Sequence, residues 1–240
     1  MTLRRPAIAL TCYSEPAKWG AWSVPAALIP QWYLDLFRAA GAEVVLLPPG
    51  ATAESLSRFD GLAIVGGADI DPARYNEEAH ESVDLPRADR DQTEFDLYAR
   101  ARELGMPVFG ICRGLQVMAI AHGGSLIQNL PDEPGTIIHR ERPGEFVDHR
   151  ARFEQGSRLA ELYGTDSVAV NSSHHQAVRS AGDLTVTGRA SDETVEACED
   201  PSQDFCVGVQ WHPEHPDRRE ADLPLAKSFV GAAVRYAHAD

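Results

Sequence analysis

The sequence predicts an α/β fold in which a mostly parallel central sheet carries helices on both faces. Three observations lead to this prediction. Short apolar runs recur along the first half of the chain, and they are continuous rather than alternating, which is typical of strands buried on both faces. Segments with helical periodicity separate several of these runs, as a parallel sheet requires. The second half is richer in strand-like runs, and we expect an additional β-rich portion there.

The first half supplies the parallel part of the predicted sheet. Strands are expected at residues 8–12, 43–47, 62–65 and 108–111. Helices are expected at 25–40 and 91–104, where apolar residues recur at helical spacing and a glycine follows the last turn. Sites in such folds form at the carboxyl ends of the strands. Gly67 and Cys112 each follow a strand, so they lie where a site is expected.

The second half consists mostly of predicted strands. They are expected at residues 146–149, 167–170, 184–188, 194–198 and 205–211, and a last helix is expected at 224–237. No internal repeat and no linker-like segment divides the chain. Its 240 residues, of which 43% are hydrophobic, suffice for one large α/β domain. Residues 1–240 are therefore predicted to form a single domain.

Composition and charge argue against several classes of function. The formal net charge of −14 argues against nucleic acid or an anionic membrane surface as a partner. No apolar run approaches the ~20 residues of a membrane helix, and the short apolar stretch after Arg4 and Arg5 is predicted to be the first strand rather than a signal peptide. The four cysteines have neither metal-binding nor redox spacing. We therefore expect a cytoplasmic protein with reduced thiols.

One cysteine stands in a frame typical of a nucleophile. The segment Gly110-Ile-Cys-Arg-Gly114 joins an apolar strand to a helical pattern, which is the layout of a nucleophile elbow with Cys in place of Ser. The glycines suit a tight turn, and the turn brings the sulfur of Cys112 to a helix N-terminus, where the dipole favours thiolate. A buried structural cysteine is the alternative. It fits Cys12, Cys198 and Cys206 better, because they lack the frame.

A second motif, Gln-Trp-His-Pro-Glu at 210–214, supplies the groups that activate a nucleophile. On a strand, residues i and i+2 point to the same side, so Glu214 can orient the imidazole of His212 towards the thiol. A nucleophile, a base and an orienting acid together predict acyl transfer through a thioester. The pair His174-His175 offers rival bases. His215 is a weaker rival, because it would point to the opposite face of the strand.

These two motifs and three others resemble the class I glutamine amidotransferase fold, a flavodoxin-like α/β fold, and within it the gamma-glutamyl-gamma-aminobutyrate hydrolase family. The matching segments follow the family's order and span most of the chain: Val65-Gly-Gly-Ala-Asp-Ile-Asp-Pro72, Gly110-Ile-Cys-Arg-Gly-Leu-Gln116, Gly123-Gly-Ser-Leu-Ile-Gln-Asn129, Val170-Asn-Ser-Ser-His-His-Gln-Ala-Val178 and Val209-Gln-Trp-His-Pro-Glu214. The first and fourth segments separate the hydrolase branch from other glutamine amidotransferases. The resemblance favours His212 over the other histidines as the base.

The resemblance implies an oxyanion hole made of two backbone N–H groups, those of Gly67 and Arg113. The residues allow it, because the glycine pair at 66–67 lets a substrate carbonyl approach the backbone closely. Seen alone, a glycine pair after a strand would indicate only a turn. The pair is not a phosphate-binding loop, which needs further glycines and a lysine.

The resemblance also places three side chains near the glutamyl part of a substrate. Gln116 lies one helical turn after Cys112, so its side chain returns over the same face of the helix. Ser173 and His174 match the family segment that meets the α-amino and α-carboxylate groups of the substrate. A solvated turn is the simpler alternative for this segment.

The function that the resemblance implies is hydrolysis of the γ-glutamyl amide bond of a small molecule, namely γ-glutamyl-γ-aminobutyrate in polyamine (putrescine) breakdown. It requires no metal, nucleotide or organic cofactor. Two alternatives remain, a glutaminase subunit that passes ammonia to a partner synthetase and a non-catalytic binding protein. The hydrolase-branch segment at 69–72 counts against the first, and the complete set of catalytic groups counts against the second. The sequence does not identify the amine of the substrate. It also leaves open the oligomeric state, including whether the protein forms a homo-oligomer.

The long charged stretch 69–90 is expected to be a lid or specificity loop beside the site, since loops of this length are commonly functional. A solvated connector is the alternative. The aspartates of this stretch lack the spacing of a calcium loop, so no metal site is predicted. Trp19 and Trp22 are expected either to wall the substrate pocket or to pack under the loop.

Overall fold

A computed structural model describes residues 4–239. Its strands are β1 (Ala7–Thr11), β2 (Tyr13–Trp19), β3 (Trp22–Leu28), β4 (Glu43–Leu47), β5 (Gly61–Ile64), β6 (Val108–Ile111), β7 (Ser125–Ile127), β8 (Val147–Phe153), β9 (Ser167–Ser172), β10 (Ala177–Ser180), β11 (Thr185–Arg189), β12 (Val195–Glu199) and β13 (Cys206–Val209). Its α-helices are α1 (Gln31–Ala39), α2 (Ala88–Glu103), α3 (Arg113–Ala121), α4 (Arg158–Tyr163) and α5 (Arg219–Ala237).

Nine of these strands form one sheet in the order β4-β1-β5-β6-β13-β12-β11-β8-β9. The pairings from β4 to β13 are parallel. From β13 outward to β9 they are antiparallel, so the β-rich second half extends the sheet rather than forming a layer of its own. The predicted α/β fold with a mostly parallel centre is confirmed.

Helices cover both faces of the parallel part, and the core is divided accordingly. Successive residues of one strand point to opposite faces, and Val108 and Phe109 on β6 belong to different apolar clusters. Phe109 packs with Phe37 of α1 and Phe229 of α5. Val108 belongs to the cluster that α2 and α3 cover. The apolar runs that form β1, β5 and β6 are therefore buried on both faces, as inferred, whereas β4 is partly exposed.

The predicted helix 25–40 is wrong in its first part. Residues 13–28 form the hairpin of β2 and β3, and α1 begins only after Pro30. Pro16 and Pro25 face each other in this hairpin, and a proline pair is tolerated there because neither strand belongs to a larger sheet. Most residues of both strands are at least partly exposed. The sequence therefore lacks the regular alternation of apolar and polar residues that predicts a half-buried strand.

The other elements differ mainly at their ends. The helix predicted at 91–104 begins at Ala88, and the last helix begins at Arg219 rather than 224. The short pair β7 and β10 and the helix α4 carried no recognised signal. The carboxyl ends of β5, β6 and β13 lie side by side, because these strands are parallel neighbours. The segments that follow them therefore meet at one edge of the sheet.

Candidate active site

Cys112 occupies the turn between β6 and α3 in an unusual backbone conformation. Its φ of 53° and ψ of −104° lie in a region that non-glycine residues rarely adopt. Its N–H donates to Val209 O at 2.7 Å, which ties the turn to the end of β13. Such strain persists only where the surroundings enforce it, and it clusters at functional sites. The turn thus holds the thiol at the N-terminus of α3.

The glycines on either side of the turn are required by space. A Cβ on Gly114 would collide with the carbonyl oxygen of Ile64, so α3 lies directly against the end of β5. A Cβ on Gly110 would lie 2.5 Å from Met118 Sδ, which is also too close. The Gly-x-Cys-x-Gly frame is therefore the condition for packing this helix against these strands.

His212 and Glu214 form a buried hydrogen-bonded pair. Nδ1 of His212 donates to Glu214 Oε1 at 2.7 Å, and Glu214 is only 3% exposed. The backbone of His212 is fixed by Asn171, whose side-chain amide bonds both its N–H and its carbonyl at 3.1 Å. The imidazole thus has one ring nitrogen committed, while Nε2 makes no hydrogen bond within residues 4–239.

The thiol and the imidazole lie beside the same backbone position. A Cβ placed on Gly66 would lie 3.2 Å from His212 Cε1 and 3.5 Å from Cys112 Cβ. Burial lowers the pKa of His212, but the negative charges of Glu214 and Cys112 outweigh it and raise that pKa well above its ordinary value. The imidazole of His212 is therefore favoured in its protonated form beside the thiol.

Two buried arginines hold the loop at 65–68 by its carbonyl groups. Arg90 donates to Val65 O at 3.0 Å and to Gly66 O at 2.8 Å, and Arg113 donates to Ala68 O at 2.8 Å. The described chain contains no cis peptide bond, so the N–H of each peptide points away from its carbonyl. With the carbonyl of Gly66 turned to Arg90, the N–H of Gly67 points to the opposite side.

Gly67 lines the cavity together with Cys112 and Arg113. Gly67 has a φ of 144°, and a Cβ there would collide with the guanidinium of Arg90, so only glycine fits. The N–H of Arg113 is the first of α3 and has no acceptor within its helix. These are the two donors expected for an oxyanion hole.

The two arginines are neutralised by two buried acids of α2. Arg90 Nε donates to Glu94 at 2.8 Å, and Arg113 forms short ion pairs with Glu94 and Asp91. All four side chains are nearly inaccessible. Burial lowers the pKa of Arg113 to about 9, which leaves the guanidinium charged at neutral pH. The charges thus form a closed network that supports the loop at 65–68.

A cavity of about 60 Å³ opens at the thiol. It is lined by all three residues predicted to bind substrate, Gln116, Ser173 and His174, and also by Asp69, Asp84, Arg140, His175 and Gln176. Of these, Arg140 was not singled out from the sequence. The hydroxyl of Ser173 is committed to Glu145 O at 2.7 Å. Gln116 Nε2 lies 3.4 Å from Gln210 Oε1, and Gln210 Nε2 lies 3.5 Å from Cys112 Sγ.

The loop 69–90 lies against this cavity. Asp69 accepts hydrogen bonds from His175 at 3.1 Å and from the N–H of Asp84 at 2.9 Å, which closes the loop onto the segment after β9. Trp19 and Trp22, by contrast, stand at the tip of the hairpin, 50% and 64% exposed, and neither lines the cavity. Nothing in the sequence shows that the loop 69–90 lies at the cavity and that Trp19 and Trp22 do not.

The imidazole of His174 points away from the other residues that were predicted to bind substrate. Its Nδ1 donates to Gln176 O at 2.9 Å, and its other nitrogen faces a buried set of side chains behind the cavity, formed with His139, His149 and Glu196. Burial lowers the pKa of His174 to about 3, so it does not serve as a proton donor at neutral pH. No local pattern in the sequence indicates this set.

The chain is similar to several known proteins. The model of the Peptidase C26 family matches residues 6–214. The "Putative glutamine amidotransferase Rv2859c" of Mycobacterium tuberculosis is 43% identical over 242 residues, which cover 97% of this chain and 76% of that protein. Gamma-glutamyl-gamma-aminobutyrate hydrolase PuuD of Escherichia coli K12 is 34% identical over 198 residues, covering 76% of each.

The solved structures agree on the fold. The glutaminase domain of a Trypanosoma brucei CTPS superposes with a TM-score of 0.64 at 19% identity, covering 96% of this chain and 94% of that one. No helix within residues 4–239 is long and apolar enough to cross a membrane. The family match and the M. tuberculosis and E. coli relatives lead to the same conclusion. The chain belongs to the Peptidase C26 family of glutamine amidotransferase-like hydrolases.

Proposed function

We propose that this protein hydrolyses the γ-glutamyl amide bond of a small molecule through a γ-glutamyl thioester on Cys112. One observation carries the proposal. A cysteine held in a strained turn at a helix N-terminus lies beside a histidine whose other nitrogen is bound to a buried glutamate. Together, these three residues supply a nucleophile, a base and an orienting acid.

In the acylation step, the thiolate of Cys112 attacks the δ-carbonyl carbon of the glutamyl group. The negative charge that develops on the carbonyl oxygen is stabilised by the N–H groups of Gly67 and Arg113. The imidazolium of His212 gives its proton to the amine as the C–N bond breaks. Glu214 keeps the imidazole oriented and stabilises its charge throughout.

In the deacylation step, a water molecule attacks the thioester carbonyl. His212, now neutral, takes a proton from this water, and the C–S bond breaks to give glutamate and the thiolate of Cys112. The imidazolium is then restored, and the ion pair is ready for a second turnover. No step requires a group beyond these residues and water.

Two charged side chains at the cavity suit the amino-acid end of the glutamyl group. Arg140 lines the cavity and makes no hydrogen bond or ion pair with any described residue. Asp84 lines the same cavity, and its backbone rather than its carboxylate is used by Asp69. The guanidinium would bind the α-carboxylate and the carboxylate would bind the α-ammonium group of the substrate.

The amine that leaves is proposed to be γ-aminobutyrate. The E. coli relative that is named for this substrate supports it, whereas the M. tuberculosis relative is named as a glutamine amidotransferase. A glutaminase subunit that hands ammonia to a synthetase is the alternative, and it would use the same thioester. The two functions differ in whether the free protein accepts amines larger than ammonia.

The test is glutamate release from γ-glutamyl-γ-aminobutyrate, other γ-glutamyl amines and free glutamine by the purified protein. We expect hydrolysis of γ-glutamyl-γ-aminobutyrate, poor use of glutamine, and loss of activity in Cys112→Ala. Cys198→Ala is the matched control, because Cys198 is fully buried and burial raises the pKa of its thiol to about 12. Activity restricted to glutamine would overturn the hydrolase proposal, and activity surviving in Cys112→Ala would overturn the mechanism.

A further inference from the structure

Behind the candidate active site, four side chains bring their donor atoms together in the interior. They are His139, His149, His174 and Glu196, and one ligand atom from each lies within 4.8 Å of the others. All four side chains are more than nine-tenths buried. They come from different elements: Glu196 from β12, His149 from β8, and the other two from the segments that lead into β8 and out of β9.

The spacing of these atoms fits a tetrahedral metal ion. Oε1 of Glu196 lies 3.3 Å from His149 Nε2, 3.5 Å from His139 Nδ1 and 3.7 Å from His174 Nε2. Ligand atoms at Zn–N and Zn–O distances of about 2.0–2.1 Å are separated by about 3.3–3.4 Å when the geometry is tetrahedral. The four atoms lie within 4.8 Å of one another, so a single ion at the centre would draw the most distant of them together by up to about 1.4 Å.

The hydrogen bonds around the cluster leave its donor atoms unpartnered. His139 Nδ1, His174 Nε2, both nitrogens of His149 and both carboxylate oxygens of Glu196 make no hydrogen bond within residues 4–239. Buried polar atoms without partners are uncommon in folded proteins, and so many in one place call for a ligand. A metal ion bound among them would take one of these atoms from each of the four side chains, leaving the second nitrogen of His149 and the second carboxylate oxygen of Glu196.

Two of the histidines are oriented as metal ligands commonly are. Nε2 of His139 donates to Asp192 at 3.0 Å, and Nδ1 of His174 donates to Gln176 O at 2.9 Å. Each bond fixes the tautomer that leaves a lone pair on the nitrogen facing Glu196. A carboxylate or a backbone carbonyl on the outer nitrogen is the usual outer support of a histidine ligand.

We propose that His139, His149, His174 and Glu196 bind one divalent transition-metal ion, which the donor set identifies as Zn²⁺. Three imidazoles and one carboxylate in a closed tetrahedral arrangement suit zinc and leave no position for substrate, so the ion is structural. The site is separate from the thiol chemistry of Cys112. It departs from the expectation of no metal, because the ligands are spread from residue 139 to residue 196 and form no local motif.

The ion would join the antiparallel part of the sheet to the wall of the cavity. His174 belongs to the segment 173–176 that lines the cavity, and His139 precedes Arg140, which lines it too. A metal that holds both histidines to β8 and β12 therefore fixes the two segments that we expect to bind the glutamyl group. Removal of the metal would loosen these segments as well as lower the stability of the fold.

The test is the metal content of protein purified without a polyhistidine tag and dialysed against metal-free buffer. We expect about one Zn²⁺ per chain in the wild type and at least a fivefold lower content in His149→Ala and Glu196→Gln. His238→Ala is the matched control, because His238 is exposed at the end of α5 and should leave the content unchanged. Wild-type protein that carries no metal above the level of buffer blanks, and that takes up no Zn²⁺ when it is supplied, would overturn the proposal.

Two further measurements do not depend on the variants folding. Adding Zn²⁺ to chelator-stripped wild type should raise its Tm by about 5–10 °C, as binding to the native state alone requires. Replacing Zn²⁺ by Co²⁺ should give the intense visible absorption of tetrahedral Co²⁺ with histidine and carboxylate ligands. An unchanged Tm together with the spectrum of octahedral, hydrated Co²⁺ would contradict the site. Stoichiometric iron or manganese with the same loss in the variants would keep the site and overturn the choice of zinc.

Discussion

Replacing Glu214 with glutamine removes one charge from the candidate active site and leaves its shape nearly unchanged. The carboxylate accepts a 2.7 Å hydrogen bond from His212 Nδ1 in a buried setting. At that separation, with an effective dielectric constant of about 20, the attraction between carboxylate and imidazolium is ~6 kcal/mol. Glutamine retains a hydrogen bond, so we expect a net loss of about 3–5 kcal/mol, which is roughly 10²- to 10⁴-fold in kcat.

The same substitution should change the pH dependence of the reaction. Burial lowers the pKa of His212, and the charges of Glu214 and Cys112 raise it well above its ordinary value. The active ion pair needs the imidazolium, so activity is present below that pKa and is lost as the pH rises through it. Without the charge of Glu214 the pKa of His212 falls, and the alkaline limb of kcat/KM moves to lower pH.

The assay is hydrolysis of γ-glutamyl-p-nitroanilide from mildly acidic to alkaline pH, with circular dichroism to show that each variant is folded. Glu199→Gln is the matched control, because this carboxylate is also buried but lies on β12 outside the cavity. A folded Glu214→Gln variant with the kcat and the alkaline limb of the wild type would refute the assigned role of the carboxylate.

Three other predictions concern space, substrate charge and stability. Gly66→Ala places a methyl group 3.0 Å from the Tyr33 hydroxyl and 3.2 Å from the His212 imidazole, so kcat should fall about 10²-fold; an unchanged kcat would contradict the packing. Arg140→Ala should raise KM for γ-glutamyl amides about 10- to 100-fold with little change in kcat, whereas the exposed Arg142→Ala should leave KM unchanged. Tyr163→Phe removes a 2.7 Å hydrogen bond to the buried carboxylate of Asp222 and should lower the free energy of unfolding by about 1–3 kcal/mol, hence Tm by about 2–10 °C in differential scanning calorimetry; an equal Tm would contradict it.

The sequence predicted best the strands that form continuous apolar runs. The runs at 43–47 and 108–111 match β4 and β6 residue for residue; β6 is apolar because it is buried on both faces, whereas β4 lies at the edge of the sheet and is partly exposed. The hairpin at 13–28 was missed for the opposite reason. Its strands are largely exposed on both sides and contain prolines, so neither alternation nor a continuous apolar run marks them.

Within the candidate site, too, some residues could be predicted from the sequence and others could not. Cys112, His212 and Glu214 stand in short local motifs, because the elbow turn and the strand end each need particular neighbours within a few residues. Arg140 and the histidine cluster have no such frame. Their positions depend on how β8, β9 and β12 pair, and strand pairing over long sequence separation leaves no local signal.

The residues that support the loop at 65–68 are a third case. Arg90 appears in the sequence as one charge in a charged stretch, and nothing there shows that it is buried and bonded to two carbonyls. The predicted loop 69–90 also extends too far, because α2 already begins at Ala88. A buried charge network satisfies its members only in the folded state, so composition alone assigns such residues to the surface.

The most direct test of the central claim is to detect the acyl group on Cys112. The protein is mixed with γ-glutamyl-γ-aminobutyrate, quenched in acid during turnover, and analysed by intact-protein and peptide mass spectrometry. We predict a mass increase of one glutamyl group on the peptide that contains Cys112, and no increase in Cys112→Ala. Turnover by the wild type with no acylated Cys112 peptide, or with the glutamyl group on another residue, would contradict the account.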